Sequence, residues 1–478
     1  MGKKTLTNFS LRMATLLLTL IITAPSIIGA KKYAASVPYK MKDNVAVLKT
    51  PAREKGQKSV LELAVAPIKT VRIGFVGLGM RGAWAVERYM FIDGIEVVAL
   101  CDKYPEKIAP MQEVLKKNNR RPAAEYSGED GWKQLCERDD IDLVYICTDW
   151  LTHTPMCVYA MEHGKHVACE VPIAMTIKEC WDLVNTAERT QRHCMMLENC
   201  CYDFYEMTTL NMAQQGLFGD IVHVEGSYIH NLNNFWNEYQ DNWRLEYNQK
   251  HRGDVYPTHG MGPACQLLNI HRGDRMKTLV AVDSKSFNGL AAARKNMGAS
   301  TFANGDHTIT LIRTERERLL EIQHNVYAER PYNRMYQLTG TEGFANKYPS
   351  EGYAFKNGNR LVAKIPEAAS IKDSEQFVDD NLMAKIREAY LPDLFKQIEE
   401  KARKVGGHGG MDYIMDYRLI YCLQNGLPLD EDVYDGVEWS CLNELTRISL
   451  ENGCIPVEVP DFTRGEWNKV KGFRYATK

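Results

Sequence analysis

The stretch "VRIGFVGLGMRG", Val71 to Gly82, limits the possible folds of this chain more than any other. An apolar run feeds Gly77, Gly79 and Gly82 in G-x-G-x-x-G spacing, and the helix-period pattern "RGAWAVERYMFI" follows at once. Strand, tight turn and helix in that order open a doubly wound parallel sheet. Gly77 permits the turn, Gly79 lets backbone amides approach a pyrophosphate, and the helix start at Gly82 faces the anion.

A glycine turn alone is weak evidence, and the next strand decides the matter. "EVVALCD" ends in Asp102, twenty residues past Gly82. A carboxylate there accepts hydrogen bonds from the adenosine ribose and repels a 2′-phosphate, so NAD is expected over NADP. The runs "DLVYICT", "HVACEV" and "CMMLEN" then alternate with "HTPMCVYAMEHG" and "TIKECWDLVNTAERTQ". That rhythm predicts an α/β Rossmann-type domain over 69–199. Cofactor contacts in such folds come from strand carboxyl ends, here Thr148 to His153, Glu170 with Val171, and Asn199.

From Gly219 onward longer strand-like segments dominate: "GDIVHVEGSYIH", "TLVAVDSKSF", "HTITLIRTE", "RLLEIQHNVYA" and "RMYQLTGTEGFA". They predict an open, mainly antiparallel sheet. Helical patterns return in "GMDYIMDYRLIYCLQNG" and "VEWSCLNELTRISLENG", whereas 346–395 is polar and without a clear element. Residues 200–478 are therefore expected to form a substrate-binding α+β domain. "GGHGG", Gly406 to Gly410, opens a helix and either brings His408 or Asp412 towards the pocket or serves as a flexible entry turn.

Lys3, Lys4 and Arg12 precede an apolar run from Met13 to Ala24, and Gly29 and Ala30 stand just before Lys31. This is the layout of a cleaved secretory signal over 1–30, too short to span a bilayer comfortably. It predicts export to the periplasm or beyond. Residues 31–68 lack sustained periodicity and read as a linker or wrapping arm. Lys plus Arg number 59 against 61 Asp plus Glu, so no long-range field selects nucleic acid or an anionic membrane. The thirteen cysteines lie within predicted helices and strands without a C-x-x-C pair. They read as core residues, with neither a metal site nor a disulfide framework.

Beyond these patterns the chain resembles the Gfo/Idh/MocA oxidoreductases, and within them the glycoside hydrolase family 109 enzymes, NAD-dependent α-N-acetylgalactosaminidases. The resemblance runs from Val71 to Trp467 through "GFVGLGMRG", "CERDDIDLVYICT", "YAMEHGKHVACEVP", "MMLENCCYDFYEMTTLNMAQQG", "YPTHGMGPACQLLNIHRGD" and "PDFTRGEW". It implies NAD contacts at Met80, Arg81, Asp102, Trp150, Leu151, Thr152, His153, Glu170, Val171 and Asn199. It also implies sugar contacts at Tyr228, Arg244, Tyr256, Pro257, Thr258, His259 and Tyr332. The partner so implied is a glycan ending in N-acetylgalactosamine, with self-association through the open sheet a further expectation.

Sugar dehydrogenases of the wider superfamily usually carry a proton-taking lysine in E-K-P, where this chain has Glu170-Val171-Pro172. A valine cannot titrate, so His259 with Tyr256 is the first choice for that work. The resemblance implies hydrolysis by oxidation at C3, elimination, water addition and reduction. Two rivals stay open at this level, a plain NAD-dependent sugar dehydrogenase and a non-catalytic carbohydrate-binding protein. One departure stands out: family members commonly have proline after the threonine of "ICT", and this chain has Asp149, with Leu151-Thr152 in place of a more polar pair. A carboxylate beside the cofactor is expected to shift nicotinamide binding or substrate choice.

Overall fold

The computed structural model describes residues 35–477, so the expected signal over 1–30 lies outside the described residues. The arm contributes β1 (Tyr39–Lys42) and β2 (Val45–Leu48), an antiparallel hairpin. It then crosses the molecule as a strap. Arg53 pairs with Glu188 at 2.9 Å, the Val60 amide donates to the Tyr434 hydroxyl at 3.2 Å, and the Ile68 amide donates to the Leu423 carbonyl at 3.0 Å.

Six strands follow: β3 (Val71–Val76), β4 (Ile95–Asp102), β5 (Ala124–Ser127), β6 (Leu143–Ile146), β7 (His166–Cys169) and β8 (Cys194–Met196). They form one parallel sheet in the order β5-β4-β3-β6-β7-β8. β6 and β7 are buried along their whole length, as continuous apolar runs covered by helices on both faces must be. The order reverses between β3 and β6, which opens a crevice at their carboxyl ends.

The remaining strands are β9 (Ile221–Ile229), β10 (Met276–Asp283), β11 (Thr308–Thr314), β12 (Leu319–Asn325), β13 (Tyr336–Gly340), β14 (Gly343–Asn346), β15 (Gly352–Phe355) and β16 (Val457–Glu458). With the arm hairpin they build a ten-stranded sheet, β1-β2-β16-β10-β11-β12-β9-β13-β14-β15. Most neighbours are antiparallel, but β9 lies parallel to β12 and β2 parallel to β16. β11 alternates strictly between buried and exposed residues, so one face packs on the core and the other turns Ile309 and Leu311 outward.

"RMYQLTGTEGFA" turns out to be a hairpin, β13 and β14 paired antiparallel around Thr341 and Glu342. The polar stretch 346–395 holds β15 and a helix, Asp380–Tyr390, capped by the Asp379 carboxylate on the Leu382 amide at 2.8 Å. All thirteen cysteines are free, and eleven of them are buried.

Two packing features position the site. The helix Thr258–Leu267 presses on β9 so closely that a Cβ on Gly226 would lie 2.3 Å from the Gly260 carbonyl oxygen. Only glycine permits that approach. The helix Met411–Asn425 returns to the parallel sheet, where buried Asp416 accepts from Arg88 and from the Tyr145 hydroxyl, each at 2.9 Å.

Candidate active site

The glycine turn is closely packed where the chain must fold back and open where a ligand must enter. Gly77 has φ +86°, and a Cβ on Gly82 would lie 1.8 Å from the Gly77 carbonyl oxygen, whereas a Cβ on Gly79 would meet nothing within 4 Å. Asp102 ends β4 beside this turn. Its two oxygens accept from the Leu78 amide at 2.6 Å and the Tyr104 amide at 2.9 Å, which fixes the carboxylate while leaving lone pairs for a diol.

Met80 stands exposed at the helix start. Arg81 is held by carboxylates, 2.7 Å from Glu170 and 3.0 Å from Asp412. Asp412 is fully buried and also receives His408 at 3.0 Å and the Asn199 side-chain amide. Burial works against its charge, but Arg81 and His408 outweigh it and hold the carboxyl well below the usual range. Asp412 of the helix that "GGHGG" opens thus reaches Arg81 of the nucleotide turn, with His408 on the same carboxylate.

Asp149 is the N-cap of the helix Trp150–Glu162, accepting from the Leu151 amide at 3.0 Å and from the Thr152 hydroxyl at 3.1 Å. Its carboxylate therefore has a local task that a proline could not perform. Leu151 is exposed, while Trp150 and His153 are buried. The His153 ring lies 2.8 Å from the Pro172 carbonyl and 3.0 Å from that of Thr148, tying together the loops that follow β6 and β7. Val171 is buried in the second of these loops.

Opposite these loops stands an aromatic wall. Trp150 stacks on Tyr256 with centroids 5.6 Å apart, Tyr228 lies 5.1 Å from Tyr256, and Tyr332 meets His230 edge-on at 4.9 Å. Tyr332 remains 41% exposed at the rim, which separates it from a core tyrosine. The Tyr228 hydroxyl lies 2.9 Å from His230 Nδ1. Burial, aided by Arg244 and His259, lowers the His230 pKa to about 4, so the neutral ring accepts from the phenol. Burial raises Tyr228 to about 12, with Arg244 opposing.

The Arg244 guanidinium is buried among rings, 4.4 Å from the Tyr256 centroid and 5.1 Å from those of Trp150 and Tyr239. Among the described residues no carboxylate pairs with it, and the Tyr239 hydroxyl at 2.6 Å is its nearest polar partner. His259 stands one helical turn from Tyr256, its Nε2 3.2 Å from that hydroxyl, and its Nδ1 faces Glu198 Oε1 at 2.7 Å. Pro257 caps the helix and Thr258 is fully buried at its start.

Glu198, Cys200 and His259 are the one trio of ligating side chains, among the described residues, whose atoms lie within 4.8 Å of one another. Their distances are those of hydrogen bonds. The 2.7 Å between Glu198 and His259 suits a shared proton, and Cys200 Sγ already faces Arg334 at 2.9 Å.

Residues 71–198 match the model of an oxidoreductase family with an NAD-binding Rossmann fold, and 202–469 match the glycosyl hydrolase 109 C-terminal domain. The chain belongs to glycosyl hydrolase family 109. Glycosyl hydrolase family 109 protein 1 of Bacteroides thetaiotaomicron is 55% identical over 98% of this chain and 99% of its own. A family 109 protein of Porphyromonas gingivalis is 59% identical over 90% and 92%. Among solved structures, levoglucosan dehydrogenase in complex with NADH and levoglucosan shares the fold at TM-score 0.61 and 18% identity, covering 82% of this chain and 100% of its own. The cofactor of this glycosidase-family member is NAD. The open space at Gly79 and the fixed carboxylate of Asp102 fit that group. Glu198 escaped the sequence reading although it directly precedes Asn199 at the end of β8, where a carboxylate is a signal in its own right.

Proposed function

We propose that the protein is an exported glycosidase that hydrolyses α-N-acetylgalactosaminides through transient oxidation of the sugar. One observation carries this reading: Tyr256, already joined to His259, stacks on Trp150 at the start of the helix that opens at the nucleotide crevice. Proton-transfer groups thus stand beside the expected hydride path, where the superfamily's lysine is replaced by buried Val171.

NAD bound at the glycine turn supplies a reversible hydride acceptor for C3, which leaves net hydrolysis redox-neutral. On the protein side, the Tyr256–His259 pair takes the proton from O3. A ketone at C3 acidifies the C2 proton, and the same pair, once it has released the O3 proton to water, is placed to remove it while the C1–aglycone bond breaks. Tyr228 and Tyr332, on the same wall, support the sugar or protonate the leaving oxygen, and Arg244 with Pro257 and Thr258 completes the floor. Water then adds at C1 of the enone, and the protons return to C2 and O3.

Hydrolysis by two free carboxylates has less support. Glu170 is bound to Arg81, Asp412 to Arg81 and His408, and Glu198 to His259. A redox-neutral cycle also suits an exported protein, since one retained NAD serves many turnovers. No helix among the described residues is long and apolar enough to cross a membrane. The outward Ile309, Leu311 and Leu319 support self-association through the open sheet.

The test is an aryl α-N-acetylgalactosaminide in deuterated water. The expected result is aglycone release with deuterium at C2 of the free sugar. Release without deuterium overturns the cycle. NADH accumulation without aglycone identifies a dehydrogenase, and sugar binding with neither identifies a carbohydrate-binding protein.

A further inference from the structure

We infer that Glu198 is the positioning residue of a three-membered proton relay, Tyr256–His259–Glu198, in which its carboxylate fixes which nitrogen of His259 carries the proton. The inference rests on the proposed role of the Tyr256–His259 pair and adds a residue that is fully buried behind His259.

Geometry carries the argument. Glu198 is fully buried, and its Oε1 accepts from the Cys200 amide at 3.1 Å and lies 2.7 Å from His259 Nδ1. A carboxylate at that distance receives an N–H, so Nδ1 holds the proton and Nε2 presents a lone pair. The Tyr256 hydroxyl, 3.2 Å from Nε2, is the donor that lone pair meets. Taking the phenol proton makes the ring a cation between a carboxylate and a forming phenolate; burial holds the Tyr256 phenol well above its ordinary range, and the guanidinium 4.4 Å from its ring offsets part of that burial. The reverse transfer restores the neutral ring, so no proton is gained or lost over a cycle.

The surroundings keep the carboxylate charged. Burial disfavours it, but His259, the Thr258 hydroxyl and the Cys200 amide outweigh burial and leave its pKa below the ordinary value. Glu431 faces it from the segment before the helix Val433–Ser440, where burial first and Glu198 second hold Glu431 protonated. Cys201 is likewise kept as a thiol by burial, Glu431 and Glu198. On the far side, His259 faces Tyr228 with centroids 5.0 Å apart, and His230 beyond it stays neutral. Glu198 is thus the one charged acid of this cluster.

The test uses the NAD-loaded full chain with histidine labelled by 15N. In the wild-type protein the His259 ring, assigned by comparison with H259N, is expected to show the Nδ1-protonated pattern, and an Nε2-protonated pattern overturns the relay. E198Q, which keeps size and burial, is expected to lower kcat at least 30-fold on an aryl glycoside with KM within about threefold, and E198D is expected to recover part of the loss. An E198Q enzyme with unchanged kcat overturns the inference. The wild-type spectrum needs no substrate. An Nδ1-protonated His259 in a protein that releases no aglycone therefore sinks the glycosidase reading alone, and the wrong tautomer in an active protein sinks the relay alone.

Discussion

Asp412 holds Arg81 at 3.0 Å across 331 positions of sequence, joining the glycine turn of the nucleotide site to the helix Met411–Asn425. The pair is a clamp between the front of the cofactor crevice and the returning chain. Glu170 grips the same guanidinium at 2.7 Å from the loop after β7, so three separate segments meet at one cation.

Breaking this clamp leaves Arg81 with one partner and Arg88 with a weaker local field. D412A is expected to cost about 3–5 kcal/mol, the range for removing one partner of a buried ion pair. The purified variant should also lose most of its NAD. Thermal melting and absorbance of the dinucleotide released on denaturation measure the two effects. An unchanged melting point with full NAD content rejects the clamp.

Arg244 acts through its planar cation lying against three rings, a role an ammonium cannot fill. R244K is expected to lower kcat/KM by about 10- to 100-fold, equivalent to about 1.4–2.8 kcal/mol, while NAD stays bound. Kinetics on an aryl glycoside beside the NAD content of the same preparation read this directly. Activity within twofold of wild type would remove Arg244 from the site.

Asp149 caps a helix, so D149A is expected to cost about 1 kcal/mol of stability. Relative rates on N-acetylgalactosaminides and N-acetylglucosaminides should stay as they are. A changed preference would restore the carboxylate as a specificity element.

Two buried histidines set an acid limit. His166 accepts from the His193 amide at 3.0 Å, and burial, reinforced by neighbouring positive charge, lowers His166 to about 3 and His193 to about 4. Both fold as neutral rings, while the unfolded chain protonates them near pH 6.5. The unfolded state then binds more protons below that pH, so their stabilisation is intact above it and is lost progressively towards pH 4. Each ring contributes a slope of up to about 1.4 kcal/mol per pH unit in that window. Denaturant midpoints between pH 7 and pH 4.5 should fall for the wild type and fall less steeply for H166Q, and parallel slopes would contradict the assignment.

The nucleotide half was legible because its signals are local. Gly77, Gly79 and Gly82 lie within six residues, Asp102 ends the very next strand, and successive apolar runs became successive parallel strands. The aromatic wall could be named from the resemblance but not assembled, since Trp150, Tyr228, Tyr256 and Tyr332 come from four distant segments. Glu198 was hidden for the same reason, its partner His259 lying 61 residues onward. Asp149 adds a local role that the sequence reading did not include, a hydrogen bond to an amide only two residues away. The hairpin of β13 and β14 read as one strand although Gly340 and Gly343 flank its two-residue turn.

The strap has a temporal consequence. Ala46 donates to the Pro456 carbonyl at 2.9 Å, and β2 pairs with β16, so one edge of the large sheet is stitched from segments far apart in the sequence. Loop-closure entropy makes such a seam the slowest to form. A ribosome must therefore have passed Val457 before this edge can close, and until then the sheet is an incompletely sewn garment.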